Sequence, residues 1–282
     1  MPLLALVFSG GIGVCTPLQA AEMTPPRGEG LPSVAHLEFI YDDRFAEAER
    51  RKLQAWMTEV VGALRVLVGP LPMDVRFRFA RHEGAGPVPW ANTLRGRRQG
   101  VRFYVDPTQP VEAFRKDWTA PHELSHLVLP FLGHEHAWFS EGFASFMQYR
   151  VMRVMGVLDD EAMAARYSER LETAAAAYSQ PNRRFVEAVP QLRAEGLYPT
   201  IYWGGASYFL EMEERLKRQG VSLLGVLSDY LACCRRNEDE LEDLVAKLDA
   251  LAGSTTLSQG LNGFRRVVGF PPHRHLQALA PR

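Results

Sequence analysis

A chain of 282 residues with 46% hydrophobic and 23% charged side chains can fill a sizeable core, which excludes a disordered tail and a mainly membrane-embedded protein. Its 32 Lys and Arg nearly balance its 33 Asp and Glu, so no global field draws it towards nucleic acid or an anionic bilayer. At this length it is one large domain or two small ones.

Residues 1–21 carry no charged side chain and end in Leu18-Gln19-Ala20-Ala21, a stretch of the kind that signal peptidases cleave. The segment is too short and too glycine-rich for a convincing membrane span. It is expected to be a signal peptide that exports the protein to the periplasm or the extracellular space, with no stable membrane insertion after cleavage. Cys15 comes after the bulky Val14, a poor context for lipid attachment. A Pro/Gly-rich linker over residues 22–33 comes next.

Val34 to Tyr41 has strand character. In the next element, a helix, Leu53, Trp56, Met57, Val60, Val61, Leu64 and Leu67 recur at three- and four-residue spacing until Gly69-Pro70 ends it. Met73 to Ala80 alternates Val75, Phe77 and Phe79 with Asp74, Arg76 and Arg78, and Gly100 to Val105 repeats the pattern; both read as half-buried strands. Residues 34–110 thus predict a small α/β lobe with a mixed sheet. Helical patterns then dominate: 111–130, 138–155, 159–178, 205–219, 222–233 and 238–251. They predict a mainly helical lobe over residues 111–282, the two lobes forming one α+β unit with a cleft at the join. Cys233 and Cys234 are adjacent, a spacing that rarely closes a comfortable disulfide, and are expected to be small packing residues of a helix.

His122-Glu123-Leu124-Ser125-His126 fits H-E-x-x-H in a helical setting, with Thr119 as a possible cap and Pro121 in the first turn. Histidines at i and i+4 project from one helix face, where both imidazoles can share a Zn²⁺. Glu123 lies beside them, placed to take a proton from an activated water and pass it to a leaving amine. The Gly and His that would continue a metzincin pattern are replaced by Leu129 and Leu132. Downstream stands Trp138-Phe139-Ser140-Glu141-Gly142-Phe143-Ala144, which points to Glu141 as a third ligand. His134 and His136 stand on a loop at i, i+2 spacing and are assigned solvent or outer roles.

HELSH with WFSEGFASF downstream resembles the gluzincin metallopeptidases related to the aminopeptidase N and glycyl aminopeptidase families, whose second motif reads W-x-x-E-G-x-A. The resemblance covers chiefly residues 118–150 and, more weakly, 198–215. It implies a zincin-like fold, one zinc ion held by His122, His126 and Glu141, and hydrolysis of peptide or protein substrates with Glu123 as base. Tyr202-Trp203-Gly204-Gly205 resembles the Y-x-x-G motif that carries the catalytic tyrosine of those enzymes, which implies an oxyanion-stabilising role for Tyr202, with Tyr198 and Tyr208 as competitors. A noncatalytic zincin-fold binding protein that retains the metal site is the alternative.

The chain departs from that family at three places. Only 14 residues separate His126 from Glu141, where aminopeptidase N has a longer insert. The position where thermolysin-like proteases keep an orienting Asp is Ser145. No G-x-M-E-N motif stands before the zinc helix; Gly100 to Val105 is taken as the corresponding strand, its edge open to a peptide by strand addition. Arg95, Arg97, Arg98 and Arg102 form a local basic run that either binds a carboxylate or is a solvated hairpin.

Overall fold

The computed structural model describes residues 36–273; the expected signal peptide and linker lie outside the described residues. Strands β1 (Leu37–Tyr41), β2 (Val75–Arg81), β3 (Trp90–Leu94) and β4 (Gln99–Val105) form one mixed sheet in the order β1-β2-β4-β3. β1, β2 and β4 run parallel, and β3 returns antiparallel to β4. Helix α1 (Glu47–Val68) makes the crossover between β1 and β2 and stops at Gly69, whose φ of 79° suits a residue without Cβ.

Alternation along β2 and β4 turns Val75, Phe77, Phe79, Val101, Phe103 and Val105 to one face, all fully buried. They meet Leu53, Trp56, Met57, Val60 and Leu64, the stripe on α1. Trp56 anchors this layer, its ring 5.6 Å from Phe103 and 4.9 Å from Phe114. On the opposite face Arg76 pairs with Glu38, and Arg78 and Arg102 pair with Asp42. A half-buried sheet with apolar and ionic faces is what the period of two demands.

The remaining helices are α2 (Val111–Lys116), α3 (Thr119–Ser125), α4 (Ala137–Val154), α5 (Asp160–Ala176), α6 (Phe185–Ala194), α7 (Tyr198–Arg218), α8 (Leu223–Cys233), α9 (Leu241–Ala252) and α10 (Thr256–Phe264). α4 is buried nearly all round and forms the axis of the helical part. Arg150, 6% exposed, ties it to its neighbours: the guanidinium donates to Phe146 O at 2.8 Å and to the Tyr167 hydroxyl of α5 at 2.6 Å, and pairs with Glu213 of α7. The described residues belong to one compact unit with an α+β, zincin-like architecture. No helix among them is long and apolar enough to cross a membrane.

Several elements differ from the sequence expectation. The helix expected over 111–130 is two short ones, because the Asp117 carboxylate accepts a hydrogen bond from the Thr119 N–H at 2.8 Å and closes a turn between them. β3 was absent from the expected strands; Trp90-Ala91-Asn92-Thr93-Leu94 shows no apolar–polar alternation. β3 also removes the free edge expected at Gly100–Val105, since β4 is paired on both sides and β3 ends the sheet. α6 and α10 are additional, α6 accommodating Pro190 in its middle. Cys233 and Cys234 are bonded to each other at the end of α8, not free packing residues.

Candidate metal centre and cleft

His122 lies in α3 and His126 caps its C-terminal end, so one helical turn presents both imidazoles on the same side. Their ring centroids are 5.0 Å apart and nearly perpendicular. Glu141, in the first turn and a half of α4, brings Oε2 to 3.1 Å from His122 Nε2 and 3.5 Å from His126 Nε2. Zinc bonds of about 2.0–2.2 Å to nitrogen and oxygen in a tetrahedral array hold neighbouring donors roughly 3.4 Å apart. The separations of Glu141 Oε2 from the two Nε2 atoms are of this size, so these three residues could hold a zinc ion.

Glu123 is the second carboxylate here: one ligand atom from each of His122, Glu123 and His126 also falls within 4.8 Å of the others. The two acids are distinguished by their other partners. Glu123 Oε2 accepts a hydrogen bond from Thr93 Oγ1 of β3 at 2.8 Å, which ties it to the sheet edge beside the imidazoles. Glu141 Oε2 has both Nε2 atoms.

The contact between His122 and Glu141 perturbs both groups. Burial works against the His122 imidazolium, but its hydrogen bond to Glu141 and that carboxylate's charge outweigh it and raise the pKa. Burial would likewise raise the Glu141 carboxyl; the charge and hydrogen bonds of the two histidines overcome it and hold the group well below the usual carboxylate range.

Glu141 reaches the histidines because α4 packs on α3, and Tyr202 reaches the same place because α7 packs on α4 backbone to backbone. A Cβ on Gly142 would strike the backbone of Gly205, and a Cβ on Gly205 would strike the Trp138 carbonyl. Gly142 and Gly205 are thus spacers that let α4 and α7, which carry Glu141 and Tyr202, meet at van der Waals range. The Tyr202 ring lies 5.5 Å from that of His122 and its phenol is pushed up, first by burial and then by the charges of Glu141 and Glu123. Tyr202 belongs to the second turn of α7 rather than to the residues before a helix, because α7 starts at Tyr198, seven residues earlier than expected. Of its competitors, Tyr208 is buried and donates to the Leu257 carbonyl at 2.9 Å, while Tyr198 is 45% exposed and does not line the cleft.

The cleft has a volume of about 710 Å³ and is walled by Trp90 to Thr93 of β3, by His122, Glu123 and His126, and by Glu141 and Tyr202. His134 lines it away from the imidazole pair, with its ring 5.4 Å from Phe131, and His136 caps α4.

Three supporting residues, Gln148, Thr93 and Arg235, lay outside the sequence reading, and a fourth, Arg95, stood there only as part of the basic run. Gln148 Oε1 stands 2.9 Å from His122 Nδ1, so the amide, not Ser145, orients that imidazole. Its position seven residues after Glu141, two turns along the same helix face, was the available signal. Thr93 sits on the unpredicted strand. Arg95, from the basic run, donates to the His126 carbonyl at 3.0 Å and the Leu129 carbonyl at 3.2 Å; Arg235, next to the disulfide, donates to the Leu127 and Leu129 carbonyls and to Gln99. These guanidiniums satisfy the open carbonyls at the end of the zinc-motif turn. Burial pulls both down to about 10, and Arg235 is lowered further by Arg95. The run does not assemble a carboxylate site: Arg95 faces these carbonyls, and Arg98 and Arg102 face Glu38 and Asp42.

No family model matches the chain, and no curated protein matches it. Solved structures do. A substituted M1 zinc metallopeptidase from Deinococcus radiodurans, bound to a Tyr-Ser-Ala substrate, is 19% identical with a TM-score of 0.51, over 84% of this chain and 50% of that one. An aminopeptidase N family protein from Idiomarina loihiensis is 14% identical with a TM-score of 0.59, over 87% of this chain and 48% of that one. The fold is shared with these metallopeptidases. The chain spans about half the length of the structures it matches.

Proposed function

We propose that this chain is a zinc-dependent peptidase that hydrolyses peptide bonds without a covalent intermediate. The observation that carries the reading is Glu141 Oε2 standing 3.1 and 3.5 Å from the two histidine Nε2 atoms, a donor spacing suited to one zinc ion. His122, His126 and Glu141 hold the ion, and Gln148 fixes the ring of His122. Zinc supplies, when bound, a Lewis acid that polarises a carbonyl and makes water more acidic.

The chain's own groups do the rest. Glu123, steadied by Thr93, takes a proton from the attacking water and returns it to the leaving amine. Tyr202 is kept protonated by its surroundings and donates its hydroxyl to the oxyanion of the tetrahedral intermediate. Substrate lies along β3, whose outer edge has no strand partner among the described residues and whose residues wall the cleft. Backbone pairing there positions a scissile carbonyl whatever the side chains. Export is part of the proposal and rests on the charge-free residues 1–21.

A mixed peptide library incubated with the purified protein, with and without a zinc chelator, tests the reading. Cleavage abolished by chelation and restored by zinc is expected. Glu123→Gln should bind zinc as the parent does and lose about 10²–10⁴-fold in kcat/KM. Equal hydrolysis by the two forms would refute the mechanism.

A further inference from the structure

A second, smaller cavity of about 130 Å³ opens beside the metal centre. Trp118 and Tyr202 line both it and the main cleft, so a side chain entering it belongs to a residue whose backbone lies at the metal. Its depth is set by Gln148, the residue that holds His122, and by the stacked pair Tyr149 and Trp203, centroids 5.6 Å apart. The walls are aromatic, and Trp118 and Tyr198 are 41% and 45% exposed.

One lining residue is charged. Arg170 comes from α5 and, among the described residues, has no carboxylate within salt-bridge distance and no side-chain hydrogen bond, whereas Arg150 and Arg153 nearby are both paired. At i±3 and i±4 on its helix stand Arg166, Tyr167, Thr173 and Ala174, none of which supplies an acid. No Asp or Glu lines the cavity. An aromatic slot with a lone guanidinium suits a short apolar stem that ends in a carboxylate.

We propose that this cavity is a specificity subsite for an acidic side chain next to the scissile bond, with Arg170 as the residue that selects it. The proposal rests on the peptidase reading above. The carboxylate is that of a Glu or Asp side chain, and a free peptide C-terminus is the competing source of the same group.

The test uses peptides that differ only in Glu or Gln at each position flanking the cleaved bond, each made as the C-terminal acid and the C-terminal amide. At one flanking position kcat/KM for Glu should exceed that for Gln by about 10-fold, in the amide as well as the acid. Arg170→Lys should keep the preference, Arg170→Gln should bring the ratio to near one, and Arg170→Glu should invert it towards Lys. A ratio near one in the parent protein, or a preference confined to the C-terminal acids, overturns the subsite. Kd values for the same peptides on zinc-loaded Glu123→Gln give an answer independent of turnover. If no peptide is hydrolysed, the peptidase reading fails while the Kd ratio still decides the subsite: about 10-fold in favour of Glu supports it, and equal values overturn it.

Discussion

The two histidines of the H-E-x-x-H turn are alike in sequence and differently held. His122 is gripped through its side chain: Gln148 takes Nδ1, the rings of Trp118 and Tyr202 stand 5.4 and 5.5 Å away, and only 2% of the residue is exposed. His126 is gripped through its backbone, where Arg95 donates to its carbonyl. Glu141 Oε2 stands close to the Nε2 atoms of both. One ligand is therefore oriented by ring packing and the other by the path of the chain, so damage to each side should read out differently.

Removing the shared carboxylate should have the largest effect. Glu141→Ala is expected to weaken zinc binding by at least about 100-fold, beyond the range for an outer-shell partner, measured by competition with a chromophoric chelator. Gln148→Ala acts on the His122 side alone and should weaken zinc binding by about 10–100-fold with little change in the unfolding midpoint of the zinc-free protein. Arg95→Ala acts on the His126 side and should show the opposite balance: a loss of stability of about 1.5–3 kcal/mol in denaturant unfolding, from a lost charged hydrogen bond, and less than about 10-fold in zinc affinity. Equal zinc defects in Gln148→Ala and Arg95→Ala would erase the distinction between the two grips.

The α1 stripe and the β2 and β4 alternation were legible in the sequence because helices and strands repeat side chains at fixed intervals, and a run of Val, Leu and Phe registers that interval directly. The Gly69 stop was marked by a residue whose chemistry acts within one turn, and the helices expected from 159 and 222 start at Asp159 and Ser222, which cap them. Thr93 went unseen because β3 carries no apolar–polar alternation, and the roles of Arg95 and Arg235 because they depend on carbonyls more than thirty and more than a hundred residues away. The vicinal disulfide ran against a sound prior drawn from chain geometry.

That His122, Glu123 and His126 share one turn was already settled by five consecutive letters, since helical pitch is a local property. Which acid and which tyrosine join them emerged from the packing of distant segments. Glu141 meets the histidines where α4 packs on α3, and Tyr202 comes beside His122 where α7 packs on α4, an approach that Gly142 and Gly205 allow.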